Sequence, residues 1–344
     1  MRTVLRFGFV LLMAGISGCS ENSPGRLVNQ PYAIGQVGVR VVSYTSRSIV
    51  VDYDFVLYDE KGLVDPSKFS LMKGTSQISG GGSIAYSLKS MVLMDATPRG
   101  CYTTAVLMEH NAMERPDRPE QLARYIFKNT PSCSKYSFSV YPERDATLAP
   151  VSPYKTFGQS FVNDGAKFDQ DLAATSYNNN QLFLQKKEPY NSQLRALEAI
   201  TKTLASAQGV TRQVFAMYEN FDSQNTTLSN SVRDYAIANN IVINAVKNDY
   251  SSNDVLFRMA HATGGIYFMP ADYDPFHQPA RSDYYAIALH ADKFMSGNYK
   301  FYRARYELTS TVDFFRAATG YSLFMNADFG DDNTKRLPFY VPIP

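Results

Sequence analysis

The chain has 344 residues, 44% of them hydrophobic and 19% charged, with 34 Lys+Arg against 32 Asp+Glu. This is the composition of an ordinary globular protein, long enough for two domains. A formal net charge of +2 excludes the clustered basic excess that displaces counterions from nucleic-acid phosphates. The first predicted element is a leader: Arg2 and Arg6 precede an apolar run over 7–13 and small residues up to Gly18. A basic start, an apolar segment too short to span a bilayer and small residues before a cut are the parts of a secretory signal peptide, here residues 1–18. Its removal takes Lys+Arg from 34 to 32, equal to Asp+Glu, so the mature chain is formally neutral. No other run is long and apolar enough to cross a membrane. Residues 19–30 are polar, carry Pro24 and Gly25, and read as a tether.

The next stretch is predicted β. Runs over 36–44, 49–58, 69–73 and 84–94 are rich in Val, Ile, Tyr and Phe, alternate in part, and are broken by Asp59-Glu60-Lys61-Gly62 and by Gly80-Gly81-Gly82. They give an all-β module over 31–99. From Cys101 onward strands alternate with amphipathic helices. The strands are 102–108, 135–141, 213–218, 241–246 and 265–269; the helices are 119–128, 192–207, 228–239, 254–262 and 283–294. That alternation predicts a doubly wound, mostly parallel α/β sheet over 101–296, covered on both faces. The runs 299–309, 321–327 and 337–343 return to β as a C-terminal segment, 298–344.

Three segments resemble known families. Ile16-Ser17-Gly18-Cys19 is similar to the lipobox of bacterial lipoproteins, which implies that the Cys19 thiol is acylated, as with palmitate, and that the chain is held at a bilayer without spanning it. Ser20 stands where inner-membrane retention signals carry Asp, so the resemblance implies the outer membrane, on its periplasmic or surface face. With Cys19 lipidated, Cys101 and Cys133 remain as an even pair in an oxidising compartment, and a disulfide between them is expected. Two thiols alone make a poor zinc site.

Residues 59–74 resemble the small immunoglobulin-like sandwich found ahead of von Willebrand factor A (VWA) domains in bacterial surface proteins. The second half of a VWA domain is resembled by Gln213-Val214-Phe215-Ala216-Met217-Tyr218-Glu219, by Ile241-Val242-Ile243-Asn244-Ala245-Val246, and by Ala260-His261-Ala262-Thr263-Gly264-Gly265-Ile266-Tyr267. Leu107-Met108-Glu109-His110-Asn111-Ala112-Met113 is similar to that family's first strand and its Asp-x-Ser-x-Ser loop, and Asn191-Ser192-Gln193-Leu194 to the start of its central helix. The resemblance places Cys101 and Cys133 at the starts of neighbouring parallel strands, within the ~5.5–6 Å Cα separation of a disulfide.

In VWA domains the strands' carboxyl ends carry a metal-ion-dependent adhesion site that captures a carboxylate of a partner protein. The resemblance assigns its positions to Glu109, Asn111, Met113, Ser192 and Glu219, with Asp222 or water available to complete the shell. Magnesium asks for hard oxygen ligands in a close octahedron at ~2.0–2.1 Å. Each Glu is a methylene too long, Asn111 offers an amide oxygen, and Met113 a thioether that magnesium does not favour. The site Glu109, Asn111, Ser192, Glu219 is therefore degenerate, and either holds Mg or Ca weakly or holds nothing.

No enzyme constellation competes. His110, His261, His277 and His290 are scattered, and there is no nucleophile elbow, zincin helix or phosphate loop. The expectation is a non-enzymatic, membrane-anchored binding module of the cell envelope that captures another envelope or surface protein. The alternative is a structural scaffold of an envelope complex with the crevice unused; a hydrolase pairing Glu109 with Glu219 comes last. The two β segments would leave open edges if they stood alone. They are expected to pair into one β-sandwich in which the α/β domain is inserted, its crevice pointing away from the tether; a C-terminal hairpin packed on the α/β domain is the alternative.

Overall fold

The structure is a computed structural model, and it describes residues 33–65, 73–78, 82–109, 132–141, 155–163, 170, 192–207, 211–218, 226–247, 255–268, 286–287, 289–319, 322–329 and 335–344. The α/β half is built on β6 (Tyr102–Glu109), β7 (Lys135–Tyr141), β8 (Lys155–Val162), β9 (Thr211–Tyr218), β10 (Ile241–Lys247) and β11 (Tyr267–Phe268). Their spatial order is β8-β7-β6-β9-β10-β11, parallel throughout except for the antiparallel edge strand β8. Numbered within the half, that is 3-2-1-4-5-6, the order of a doubly wound fold, with its switch point between β6 and β9.

Strands covered on both faces read as continuous apolar runs, and residues 102–107 of β6 are all buried. One face packs under α1 (Ser192–Ala205), α2 (Thr226–Ala238) and α3 (Val255–Ala262). Leu194, Leu197, Ile200 and Leu204 recur at helical spacing along α1 and meet Ala105, Leu107, Val214 and Ala216 in one cluster. The opposite face carries Val106, Phe215, Val246 and Phe268 against Phe294 and Met295 of α4 (Ala291–Ser296). Within the predicted helix over 283–294 the described residues 286–287, 289 and 291–294 are helical, and α4 runs on to Ser296; the helix expected over 119–128 lies outside the described residues.

The immunoglobulin-like sandwich is not what the N-terminal strands form. β1 (Ala33–Tyr44), β2 (Ser48–Asp59), β4 (Lys73–Ile78) and β5 (Gly82–Asp95) extend the α/β sheet itself, with β12 (Lys300–Ser310) among them in the order β11-β1-β2-β12-β5-β4 and the short β3 (Gly62–Leu63) on β2. The join is antiparallel, Gly35 opposite Phe268 and Gln36 opposite Tyr267. The physical reason is the edge of β11, which would otherwise present unpaired backbone groups; β1 takes them up. The α/β half nonetheless lies in sequence between two strands that pair with each other, β5 and β12, from Lys300 opposite Asp95 to Ser310 opposite Ile84.

Of the three C-terminal β runs only the first joins this sheet. The others form a separate hairpin, β13 (Ser322–Phe329) with β14 (Lys335–Pro342), which packs against β1. Val341, Ile343 and Phe315 of the short α5 (Phe314–Ala317) close the core over Val51, Tyr53, Phe55, Tyr306 and Leu308. The far face of the same strands is polar, as antiparallel sheets with one solvated face are. There the Asp52 carboxylate accepts from Arg40 at 2.6 Å and from Arg305 at 2.7 and 3.0 Å, Asp54 accepts from Arg303 at 2.8 and 2.7 Å, and Lys89 meets Glu307 at 2.6 Å.

A second expectation is also corrected. The crevice edge does not point away from the chain's N-terminal side. Register carries through the sheet: Met108 is level with Met217, Lys247 with Tyr218, Val246 with Phe268, and Phe268 with Gly35. Ile34 therefore sits in the row of Glu109, and Ala33 leaves the sheet on the same edge. The cause is the antiparallel pairing of β1 with β11, which makes the start of β1 meet the end of a parallel strand.

Candidate functional site

The amino edge of the parallel strands is the fixed end of the domain. Thr103 lies opposite Lys135, so Cys101 falls opposite Cys133, and the two form a disulfide with a Cα separation of 5.6 Å across 32 residues. Arg212, at the start of β9, donates from Nη1 to the Ala205 carbonyl at 2.6 Å and from Nη2 to the Asn239 carbonyl at 2.7 Å. One guanidinium thus satisfies carbonyls at the carboxyl ends of both α1 and α2, where a cation is favoured. Both helices run back along their strands from there, and their N-termini stand at the opposite, carboxyl edge.

A buried polar group sets strand against strand. The Asn244 side chain donates to Gln213 Oε1 at 3.1 Å and accepts from the Ile266 backbone N–H at 3.0 Å, while Gln213 donates to the Met295 carbonyl at 3.4 Å. With both amides buried, each unmade bond would cost about 1–3 kcal/mol, which ties β9, β10 and α4 to one register. The Thr263-Gly264-Gly265 turn has a structural explanation too. Thr263 Oγ1 accepts from the Ile243 N–H at 2.9 Å and donates to the Met259 carbonyl at 2.9 Å. Gly264 is left-handed at φ 73°, and a Cβ on Gly265 would stand 2.0 Å from the Ile243 carbonyl oxygen.

At the carboxyl edge the structure brings together the backbones of three predicted positions' neighbourhoods. Glu109 ends β6, Tyr218 ends β9 directly before Glu219, and Ser192 opens α1. β6 and β9 are parallel neighbours, with Glu109 and Tyr218 in one row. Asn111, Met113, Glu219 and Asp222 lie outside the described residues, as do His110 and His277. This edge holds the topological switch point between β6 and β9, the place where doubly wound sheets bind their ligands. Among the described residues no cluster of three or more His, Cys, Asp and Glu is placed to hold a metal ion. The donor set Glu109, Asn111, Ser192 and Glu219 fits a small hard cation poorly on ligand length and type.

The described histidines are engaged in packing and in a backbone contact. His261 stacks on Phe257 with ring centroids 5.7 Å apart. His290 is buried, its Nε2 lies 2.6 Å from the Asp59 carbonyl, and burial lowers its pKa below the usual imidazole value, so the neutral ring donates there at pH 7. Sequence reasoning missed Arg212, the Gln213–Asn244 pair and the Asp52 ion pairs. A polar residue inside an apolar strand, as in Ile241-Val242-Ile243-Asn244, was the available signal for the pair.

No family model matches the chain, and no curated protein matches it. Solved structures similar to it at low identity include VWA domains. The SpRpn10 VWA domain is 11% identical, over 47% of this chain and 82% of that one, with a TM-score of 0.35. A von Willebrand factor type A protein from Catenulispora acidiphila is 8% identical, over 92% and 74%, at 0.39. The conserved hypothetical protein BatB from Bacteroides thetaiotaomicron is 14% identical, over 57% and 98%, at 0.36. The fold assignment rests on the strand order and polarity of the chain itself: a doubly wound α/β sheet with an antiparallel extension.

Proposed function

We propose that the protein is a lipid-anchored, non-enzymatic binding module of the bacterial outer membrane, which captures another envelope protein at the carboxyl edge of its parallel strands. The observation that carries the reading is the meeting of the β6 end at Glu109, the β9 end at Tyr218 and the α1 start at Ser192 on the two sides of the switch point. Loops at such an edge are held by a rigid sheet and are free to vary, which suits recognition. The Cys19 sequence supports the anchor, and the Cys101–Cys133 disulfide suits an oxidising compartment. Capture at this edge needs no metal ion, since the loop surface itself can supply polar contacts.

A second reading, a scaffold working through the antiparallel half, is favoured by Val92 and Leu93, which stand 51% and 46% exposed on β5. Cross-linked capture from envelope membranes separates the two. The triple variant Asn111→Ala, Ser192→Ala, Glu219→Ala loses the partner if the crevice binds it. Retention by that variant, with loss in Val92→Asp, Leu93→Asp, would establish the scaffold instead.

A further inference from the structure

On the solvated face of the antiparallel half the charged side chains stand in rows that follow strand register. Arg40 of β1, Asp52 of β2, Arg305 of β12 and Ser90 of β5 share one row. In the next row β1 contributes Gly38, so Asp54 meets Arg303 alone, one charge against one, with Val92 beyond it on β5. On the other side Glu307 meets Lys89, again one against one. The Asp52 row is the exception, because two guanidiniums share a single carboxylate.

Both arginines reach the same atom. Nη2 of Arg40 and Nη2 of Arg305 donate to Asp52 Oδ2 at 2.6 and 3.0 Å, so they stand no more than about 6 Å apart, close enough for their like charges to repel. The carboxylate lies at the base of the face, 2% exposed, and the guanidiniums stand above it, 67% exposed for Arg40 and 43% for Arg305. Solvent therefore meets a surplus positive charge, carried on side chains that Asp52 already holds in place. Arg40 donates to Asp52 through Nη2, and among the described residues its Nε and Nη1 hydrogens are left for a second anion.

The geometry points to a carboxylate-binding site across Arg40 and Arg305, which takes an Asp or Glu side chain of a second partner protein. One carboxylate neutralises the surplus, whereas a phosphate dianion overshoots it. A bilayer is a poor match, because anionic head groups are recognised by clusters of about four to eight Lys and Arg, and the neighbouring cations here are already paired. Val92, exposed in the row of Arg303, adds an apolar contact beside the arginines, a combination suited to protein interfaces. The site lies on the antiparallel half, apart from the strand ends at Glu109 and Tyr218, so it stands whether or not those ends capture a protein.

The full-length protein in detergent is titrated with N-acetylglutamic acid methylamide, a probe with one carboxylate, and the Arg Nε–H resonances are followed by NMR. Those of Arg40 and Arg305 should move saturably in the millimolar range, with Arg303 moving less. Arg40→Gln should weaken binding at least about fivefold, and Arg40→Lys, which keeps the charge, by less. Shifts absent from Arg40 and Arg305, or equal in Arg40→Gln, overturn the site. Tighter binding of inorganic phosphate than of the probe overturns the choice of a carboxylate, and Arg40-dependent binding to phosphatidylglycerol vesicles overturns the choice of a protein. In cells, a photo-cross-linker at the exposed Ser90 should give an adduct whose partner peptide carries Asp or Glu. Arg40→Gln should reduce that adduct at least about tenfold, and the triple variant Asn111→Ala, Ser192→Ala, Glu219→Ala should leave it unchanged. No adduct, a lipid adduct, an adduct indifferent to Arg40→Gln or one lost with the triple variant overturns the second partner.

Discussion

Asp52 accepts both nitrogens of the Arg305 fork, Nε at 2.7 Å and Nη2 at 3.0 Å, while being only 2% exposed itself. The hydrogen bonds from Arg305, with those from Arg40, hold its pKa down to about 2 against the desolvation that raises it. The ladder crosses β1, β2 and β12, and so fixes the first two strands of the chain to the strand that returns from the α/β half. A carboxylate with a depressed folded-state pKa contributes stability above its unfolded value of ~3.9 that is lost as pH falls toward 2. Asp52→Asn should cost about 2 kcal/mol near neutral pH and flatten the stability profile between pH 4 and 2. Denaturant melts of both proteins across that window check it; parallel profiles would contradict it.

His290 runs the other way. Burial beside Tyr58 and Phe294 lowers its pKa, helped by Lys293 and opposed by the hydrogen bond to the Asp59 carbonyl and by the charges of Asp292 and Asp59. The folded state therefore takes up its proton less readily than the unfolded one, and stability declines as pH drops below the unfolded value of ~6.5. An NMR titration should place the His290 ring below 6.5, and a midpoint at or above that value would contradict the buried, neutral ring.

Glycine positions rank by what a methyl group would strike. At Gly265 it meets backbone, the Ile243 carbonyl at 2.0 Å; at Gly35 it meets side chains, Ile266 Cγ2 at 2.6 Å and Phe268 Cδ1 at 2.8 Å. Gly265→Ala should cost about 3 kcal/mol or more, and Gly35→Ala less because rotamers can yield. Thermal melts of the two variants give the order, and the reverse order would contradict the close packing of the 263–265 turn on β10.

The Cys101–Cys133 disulfide closes a loop spanning 32 residues, for which chain entropy gives about 3–4 kcal/mol. Replacing both cysteines with Ser should lower stability by that order while leaving the far-UV spectrum intact. No change in midpoint would mean that the β6–β7 pairing is already enforced by the rest of the sheet.

The donor set at the crevice leads to weak binding of divalent cations, in the millimolar range or above, because two ligands are a methylene too long and one position is a thioether. Titration calorimetry on a form of the protein lacking residues 1–30 checks this. Micromolar binding abolished by Ser192→Ala would show a working metal site.

The α/β half was legible in the sequence because its signals are local. Leu194, Leu197, Ile200 and Leu204 repeat at helical spacing, and 241–246 is a compact apolar run. The continuous sheet was not, because the pairing of Gly35 with Phe268 joins residues far apart in sequence and leaves no periodic trace in either. The antiparallel strands looked like a separate sandwich for the same reason: alternation reports that one face is buried, not what buries it. β8 escaped notice because Lys155–Val162 mixes Lys, Gly, Gln and Ser with two Phe, as an edge strand can. At the carboxyl edge the resemblance to VWA domains implied that the strands ending at Glu109 and Tyr218 are neighbours, as they are. It could not show that the N-terminal segment leaves from that same edge.

Hydrogen exchange on the complex with the captured partner tests the central claim most directly. Binding at the carboxyl edge predicts new protection in the peptides that follow Glu109 and Tyr218 and that open α1 at Ser192 and α2 at Thr226, with none on the Arg303 and Arg305 face of β12. Protection confined to β5 and β12, with the strand-end peptides unchanged, would contradict it.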